Sequence, residues 1–229
     1  MISHGKQQAL WDEEHKNPSI LRQMDSRDVS SGVEKFWQFL EETGVPRTRG
    51  LEMGCGKGRN VIGLAKLGAE MHGFDFSPSA IEEAKKRADE AGVHAQFVVQ
   101  DAMRPWGYQS NSFDFAIDCF ASTDIESPEG RVFAVSEFRR VLKPGGHLLA
   151  YLLSTDDEFH KEMIVKSPAD EKSAFFHGNG KFEKVFDETE LREMYKEFEL
   201  SRMERLEKTT MFNGKSYACK HFWLVLKKR

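Results

Sequence analysis

Three glycines at alternate positions, Gly54, Gly56 and Gly58, sit in the run Leu51-Glu52-Met53-Gly54-Cys55-Gly56-Lys57-Gly58-Arg59-Asn60. Glycine lets a backbone turn sharply and come close to a ligand. The run falls between a predicted strand over 49–53 and a predicted helix over 60–67, where open α/β sheets bind their ligands. Asp75 closes a second predicted strand, roughly 20 residues past the loop, where a carboxylate can accept from both hydroxyls of a ribose. Asp101 follows the third predicted strand, 95–99. It can accept from an exocyclic adenine amine, with the backbone N–H of Ala102 donating to a ring nitrogen. Phe76, next to Asp75, can pack on the adenine face. These residue types in this order point to a nucleoside-bearing ligand.

The spacing also argues against two common ligands. A dinucleotide fingerprint, G-x-G-x-x-G, would need a third glycine where Arg59 stands, and that glycine serves close helix packing. The Walker phosphate loop, G-x-x-x-x-G-K-[ST], is absent.

Further candidate chemistry lies in a segment at 154–186, which carries Phe159, His160, Phe175, Phe176, His177, Gly178, Gly180 and Phe182. Aromatics and glycines together suit a lid over a pocket, and His160 and His177 are candidate proton acceptors. Trp11 and His15 are candidates for a cover over the ligand. Asp118 and Asp124 offer two carboxylates without a third ligand, so no metal is expected. The three cysteines, Cys55, Cys119 and Cys219, are far apart and form no C-x-x-C pair, which argues against disulfides and structural zinc.

The elements that must hold these residues alternate. Ser31 and Glu34 read as a capping box before an apolar face of Phe36, Trp37, Phe39 and Leu40, ended by Gly44. Ser77-Pro78 and Ser127-Pro128 each start a helix, running to about Ala91 and Leu142. Strands are predicted over 70–76, 113–120 and 147–153, the last after a turn at 143–146. Asp187 and Glu190 cap a further helix. Runs 198–212 and 217–226, joined through Asn213-Gly214, read as a hairpin. The apolar stretch at 222–226 predicts an interior strand. Alternating units of this kind imply an α/β fold with a parallel sheet, finished by an antiparallel hairpin. The first thirty residues are polar with scattered apolar ones (Leu10, Trp11, Ile20, Leu21, Met24) and read as an appendage.

At this point the residues resemble a family. Glu52 to Asn60 is similar to the first motif of class I S-adenosylmethionine (SAM) dependent methyltransferases. Gly73-Phe74-Asp75-Phe76-Ser77 is similar to their ribose-binding strand end, and Gln100-Asp101-Ala102 to their adenine-contacting segment. Ser112-Phe113-Asp114 and the turn Arg140 to Gly146 fit the same scheme, as does the terminal hairpin. The Gly-Arg-Asn step is weakly similar to tellurite-resistance and thiopurine-type enzymes. Departures are Glu52 where aspartate is common, and Arg49 and Gly50 where aliphatics are usual. The Asn-Pro-Pro-Tyr signature of amino-group methylators is absent.

The resemblance implies a doubly wound, mostly parallel seven-stranded sheet with a reversed final strand, in one domain over 1–229. Within it, 1–44 would be a helical cover and 154–186 the substrate-side lid. It implies SAM as cofactor and S-adenosylhomocysteine (SAH) as product. Gly54 and Gly56 would pass close to the methionine part, Glu52 would organise its ammonium, and the backbone around Asp118 and Cys119 would line the same side. Cys55 would fill the loop and make a backbone contact.

Composition fits a soluble enzyme. The chain has 229 residues, 39% hydrophobic and 31% charged, with a net charge of −4. That is enough for one sizeable core, and it lacks the basic footprint of a nucleic-acid binder. No apolar run nears the roughly 20 residues of a membrane span, and 1–10 lacks the apolar core of a secretory signal, so no membrane partner and a cytoplasmic location are expected. A small-molecule methyl acceptor is the expected partner. The alternatives are RNA or protein acceptors, a SAM-binding protein without turnover, and a nicotinamide-dependent oxidoreductase.

Overall fold

The computed structural model describes residues 4–18, 25–212 and 214–229. Its helices are α1 (His4–Lys16), α2 (Ser31–Glu42), α3 (Arg59–Lys66), α4 (Pro78–Ala91), α5 (Pro128–Val141), α6 (Glu158–Lys166) and α7 (Glu188–Met194). Its strands are β1 (Arg49–Met53), β2 (Glu70–Asp75), β3 (Ala95–Val99), β4 (Phe113–Cys119), β5 (Leu142–Leu153), β6 (Ala174–Phe176), β7 (Phe182–Lys184), β8 (Phe198–Phe212) and β9 (Lys215–Lys228).

Seven strands form one sheet in the order β3-β2-β1-β4-β5-β9-β8, and β6 pairs with β7 separately. The pairs from β3 to β5 are parallel. β9 runs antiparallel to both β5 and β8. The reversed final strand is therefore present, and 222–226 is interior, between β5 and β8. The predicted hairpin forms with Phe212 opposite Lys215. Asn213, half of its turn signal, lies outside the described residues, as do Ile20, Leu21 and Met24.

Both faces of the sheet are covered, which is why β4, β5 and β9 are apolar almost throughout. Alternate residues serve opposite cores. Phe222, Leu224 and Leu226 join Phe74, Phe113 and Phe138 on one face. Trp223 and Val225 join Phe36, Leu40, Val61 and Phe115 on the other. Trp223 is fully buried, and its indole N–H donates to the Gly32 carbonyl at 2.8 Å, tying α2 to the sheet.

Local signals explain the helix starts. Ser77 and Ser127 accept from Ala80 N and Gly130 N, each with proline in the first turn, and the Asp187–Glu190 capping box is complete. The Ser31–Glu34 box is not. Ser30 is the cap residue of α2 and makes no side-chain cap bond; its N–H is taken by Asn60 Oδ1 at 2.9 Å. The segment 143–146 is likewise no free turn but part of β5, with the register against β4 shifting between Phe113 and Phe115.

The polar start is not an appendage. Asp12 Oδ1 accepts from Ser77 Oγ, Ser79 N and Ser79 Oγ at 2.7, 3.0 and 2.6 Å, which fixes α1 at the start of α4. Gln7 pairs with the loop between β6 and β7, donating to Gly180 O and accepting from Phe182 N, both at 3.1 Å. No helix among the described residues is long and apolar enough to cross a membrane.

Candidate active site

The carboxyl ends of β1, β2 and β4 open into a cavity of about 720 Å³. The glycine loop forms its floor. Gly54, Gly56 and Gly58 all have positive φ, 64°, 50° and 81°, a region glycine enters without steric cost. That geometry turns the chain from β1 into α3 within five residues.

Asp75 ends β2 at the cavity wall. Its Oδ2 accepts from Gly56 N and its Oδ1 from Ser77 N, both at 2.9 Å. A carboxylate has about four lone-pair sites, so two backbone bonds fix its plane and leave capacity for two donors from the cavity. Asp101 is held in the same manner, its Oδ1 accepting from Met103 N at 2.8 Å. Phe76, Asp101 and Ala102 all line the cavity.

Glu52 lies at the far end of the loop. Its Oε1 accepts from Asn60 Nδ2 at 2.6 Å, while its buried Oε2 has no partner. Burial pushes its carboxyl up to about 8, against the Asn60 bond. Cys55 also lines the cavity, but its Sγ is buried and points to Gly56 O at 3.7 Å. Burial drives this thiol well above its ordinary value, with Asp75 adding to the shift, so it is a poor nucleophile. Cys119 lines the cavity as well, its thiol pushed up by burial to about 12.

Asp118 is not brought to the cavity wall. It is fully buried, and its carboxylate caps the short turn Ala121–Asp124, accepting from Ser122 N at 3.0 Å and from Ser122 Oγ. Burial pushes it up to about 6 in spite of those bonds. Asp124 does face the cavity, and burial and the Glu183 charge hold its carboxyl well above the usual range. Among the described residues no group of three or more His, Cys, Asp or Glu could hold a metal ion.

The segment 154–186 supplies the opposite wall through Phe159, His160, His177 and Glu183. His160 Nδ1 lies 2.6 Å from Asp157 Oδ1, and its Nε2 lies 3.3 Å from Glu183 Oε1. His177 Nε2 bonds Glu183 Oε2. Burial alone would lower His160, but Asp157 and Glu183 overcome it and push the imidazole up to about 9. Burial would raise Glu183, yet bonds from His160 and His177 hold it well below the ordinary carboxylate range. With both ring nitrogens facing carboxylates, His160 has no lone pair to offer, which removes it as a proton acceptor.

These shifts have a consequence for stability. A folded value of about 9 for His160 exceeds its ordinary 6.5. The resulting stabilisation is complete below 6.5 and is lost as pH rises through 9, while the contribution of Glu183 is lost in acid. Denaturant melts are expected to weaken between about pH 7 and about pH 10, and the slope is expected to flatten in His160→Gln. An unchanged slope in that variant would contradict the ion cluster.

The wall residues not assigned from the sequence include Arg59, Phe120, Gln7 and Glu183. Arg59 lines the cavity beside Glu52 and Cys119 and, among the described residues, makes no hydrogen bond or ion pair; its position in the glycine run was the available signal. Phe120 holds a left-handed φ of 68° at the mouth, a strained state for a non-glycine residue. Gln7 lines the cavity from α1, together with the anticipated Trp11 and His15.

Comparison with known proteins agrees with this geometry. A family model described as a methyltransferase domain matches residues 51–146. The aklanonic acid methyltransferase of a Streptomyces species is 33% identical over 126 residues, 51% of this chain and 56% of its own. The chain spans about half the length of the curated relatives it matches. A SAM-dependent methyltransferase of Methanosarcina mazei superposes with a TM-score of 0.73 at 23% identity, over 88% of this chain and 98% of its own. The 1,6-didemethyltoxoflavin-N1-methyltransferase of Burkholderia thailandensis, solved with SAH, does so at 0.70 and 15%, over 100% and 91%. Residues 51–146 thus match a methyltransferase-domain model, in a chain that shares the fold of these solved methyltransferases.

Proposed function

We propose that this protein is a SAM-dependent methyltransferase acting on a small-molecule acceptor. The observation that carries the reading is the placement of Asp75, with its carboxylate fixed by Gly56 N and Ser77 N at the wall of a 720 Å³ cavity. SAM would supply an activated methyl group, its positive sulfur making the leaving group a neutral thioether.

The residues present fit that group. Asp75 would hold the ribose hydroxyls, and Asp101, Ala102 and Phe76 the adenine. Gly54, Gly56 and Cys119 would border the amino-acid end. The unpartnered Glu52 Oε2 would accept from its ammonium, directly or through water, and Arg59 would meet its carboxylate. Trp11 and His15 on α1 would close the cover. The protein's main contribution is alignment and exclusion of water, worth roughly 7–11 kcal/mol of barrier in favourable cases.

The cavity of about 720 Å³, walled by the 154–186 segment opposite the glycine loop, and the net charge of −4 favour a small acceptor over RNA or protein. The named relatives that methylate aklanonic acid and 1,6-didemethyltoxoflavin support the same class. Incubation with methyl-labelled SAM and a panel of phenols, thiols and nitrogen heterocycles is expected to yield labelled small molecules. Label recovered only in added RNA or protein would move the acceptor to that class.

A further inference from the structure

Opposite the glycine loop, four ionisable side chains stand in a row: Asp157, His160, Glu183 and His177. They come from the cap of α6, its first turn, β7, and the residue after β6. The row is buried at one end, where Asp157 is fully enclosed, and reaches the cavity at the other through His177.

Ionised carboxylates only accept, so the contacts place the protons. His160 presents Nδ1 to Asp157 and Nε2 to Glu183, and the two carboxylates favour its imidazolium form. His177 donates from Nε2 to Glu183. In neutral His177 the lone pair is therefore on Nδ1, and no described residue bonds that atom. This is the arrangement in which a carboxylate orients an imidazole to take a proton.

We propose that His177 is the general base of the site, with Glu183 as its positioning residue, and that the acceptor is a protic group, a hydroxyl or ring N–H, that arrives uncharged. The inference rests on the methyltransferase reading above. The proton on the acceptor heteroatom passes to His177 Nδ1 as that atom's electron pair forms the bond to the methyl carbon. The electrons of the broken carbon–sulfur bond stay on sulfur, and the imidazolium later returns its proton to solvent. A thiolate acceptor arrives already ionised and would leave such a row without a task.

The surrounding charges are consistent with this role. Across from the row, the short turn Ala121–Asp124 presents Asp124, whose carboxyl is pushed well above the usual range by burial and the Glu183 charge. Lys181, just before β7, lies 3.5 Å from Glu14 of α1, and burial lowers it. From β9, His221 is held down to about 4 by burial, with Lys208 of β8 adding to the shift, so it is neutral. Among the described residues, Glu183 is the charged group in direct contact with the His177 ring.

Two measurements test the proposal together. The first is turnover of a series of phenols of graded acidity, with thiophenol as the pre-ionised comparison. His177→Asn is expected to lower kcat roughly 10²–10⁴-fold for phenols neutral at the assay pH, with KM little changed. The loss should shrink for nitrophenols already ionised, and raising the pH should restore the variant's rate. Glu183→Gln should give a smaller loss of the same pattern.

The second measurement is a ring-nitrogen correlation spectrum of the SAH complex. It is expected to show neutral His177 with its proton on Nε2, an arrangement lost in Glu183→Gln. A proton on Nδ1 of neutral His177, or full turnover of neutral phenols by His177→Asn, would overturn the assignment. Thermal melts and SAH titration of each variant confirm that it is folded and binds. If wild-type protein binds no SAH, the cofactor reading fails, and the spectrum of the free protein still judges the histidine row.

Discussion

Replacing Asp75 with alanine is expected to weaken SAH binding by about 10²-fold or more. Two hydrogen bonds to a charged carboxylate are worth roughly 1.5–3 kcal/mol each, and a loss of 1.4 kcal/mol is tenfold in affinity. The variant also strips Gly56 N and Ser77 N of their acceptor, so the loop itself loosens. Methylthioadenosine, which keeps the ribose and lacks the amino-acid end, should lose affinity in parallel. Asp75→Asn should not rescue binding. Its amide nitrogen would face either Gly56 N–H or Ser77 N–H, donor against donor. Calorimetric titration of wild type and both variants checks this. A variant that binds SAH as wild type does would remove Asp75 from the ribose site.

The second large effect belongs to Gly54. A methyl group there would lie 2.4 Å from Ala121 Cβ, and the residue holds a φ of 64°. Left-handed backbone costs a non-glycine residue roughly 1–2 kcal/mol, and the overlap must in addition push the loop away from the 121–124 turn. Both segments border the cavity. Gly54→Ala is therefore expected to lose about 1–3 kcal/mol of stability and at least tenfold in SAH affinity. Gly92→Ala provides the contrast. Gly92 also has a left-handed φ, 67°, but nothing lies within 4 Å of its Cβ position, and it ends α4 away from the cavity. It should lose about 1 kcal/mol of stability by the same backbone argument, with SAH binding untouched. Equal binding losses in the two variants would mean that backbone strain, and not the closeness of Gly54 to the turn, sets the effect.

The glycine-loop side of the cavity was legible because its signals are local. The glycine run, the strand-ending Asp75 and the serine–proline helix starts each depend on neighbours within a few residues, and the structure places them as the sequence implies. The reversed strand was legible because apolar continuity in 222–226 requires cover on both faces. Contacts that span the chain were not legible. The role of α1 depends on Gln7 reaching Gly180 and Asp12 reaching Ser79, across 173 and 67 residues. Its polar surface reads as solvated until those partners are known. Asp118 and Cys119 differ for a related reason: adjacent strand residues point to opposite faces, so only one of them can meet the cavity, and Asp118 instead caps the turn that follows. The Ser31 box failed because α2 starts one residue earlier than the box requires, with Ser30 at the cap position and its N–H held by Asn60, thirty residues away. His160 and His177 were indistinguishable as residues in one segment; Asp157, one turn before His160, gives that ring a second carboxylate in addition to the Glu183 that both histidines meet.

Titration of the purified wild-type protein with SAM, SAH and NADH, in one calorimetric series, tests the central claim most directly. Micromolar or tighter binding of both adenosyl ligands and none of NADH is expected, since Arg59 stands where a dinucleotide site needs glycine. Binding of NADH with no binding of SAM or SAH would contradict the claim and return the glycine loop to the dinucleotide reading.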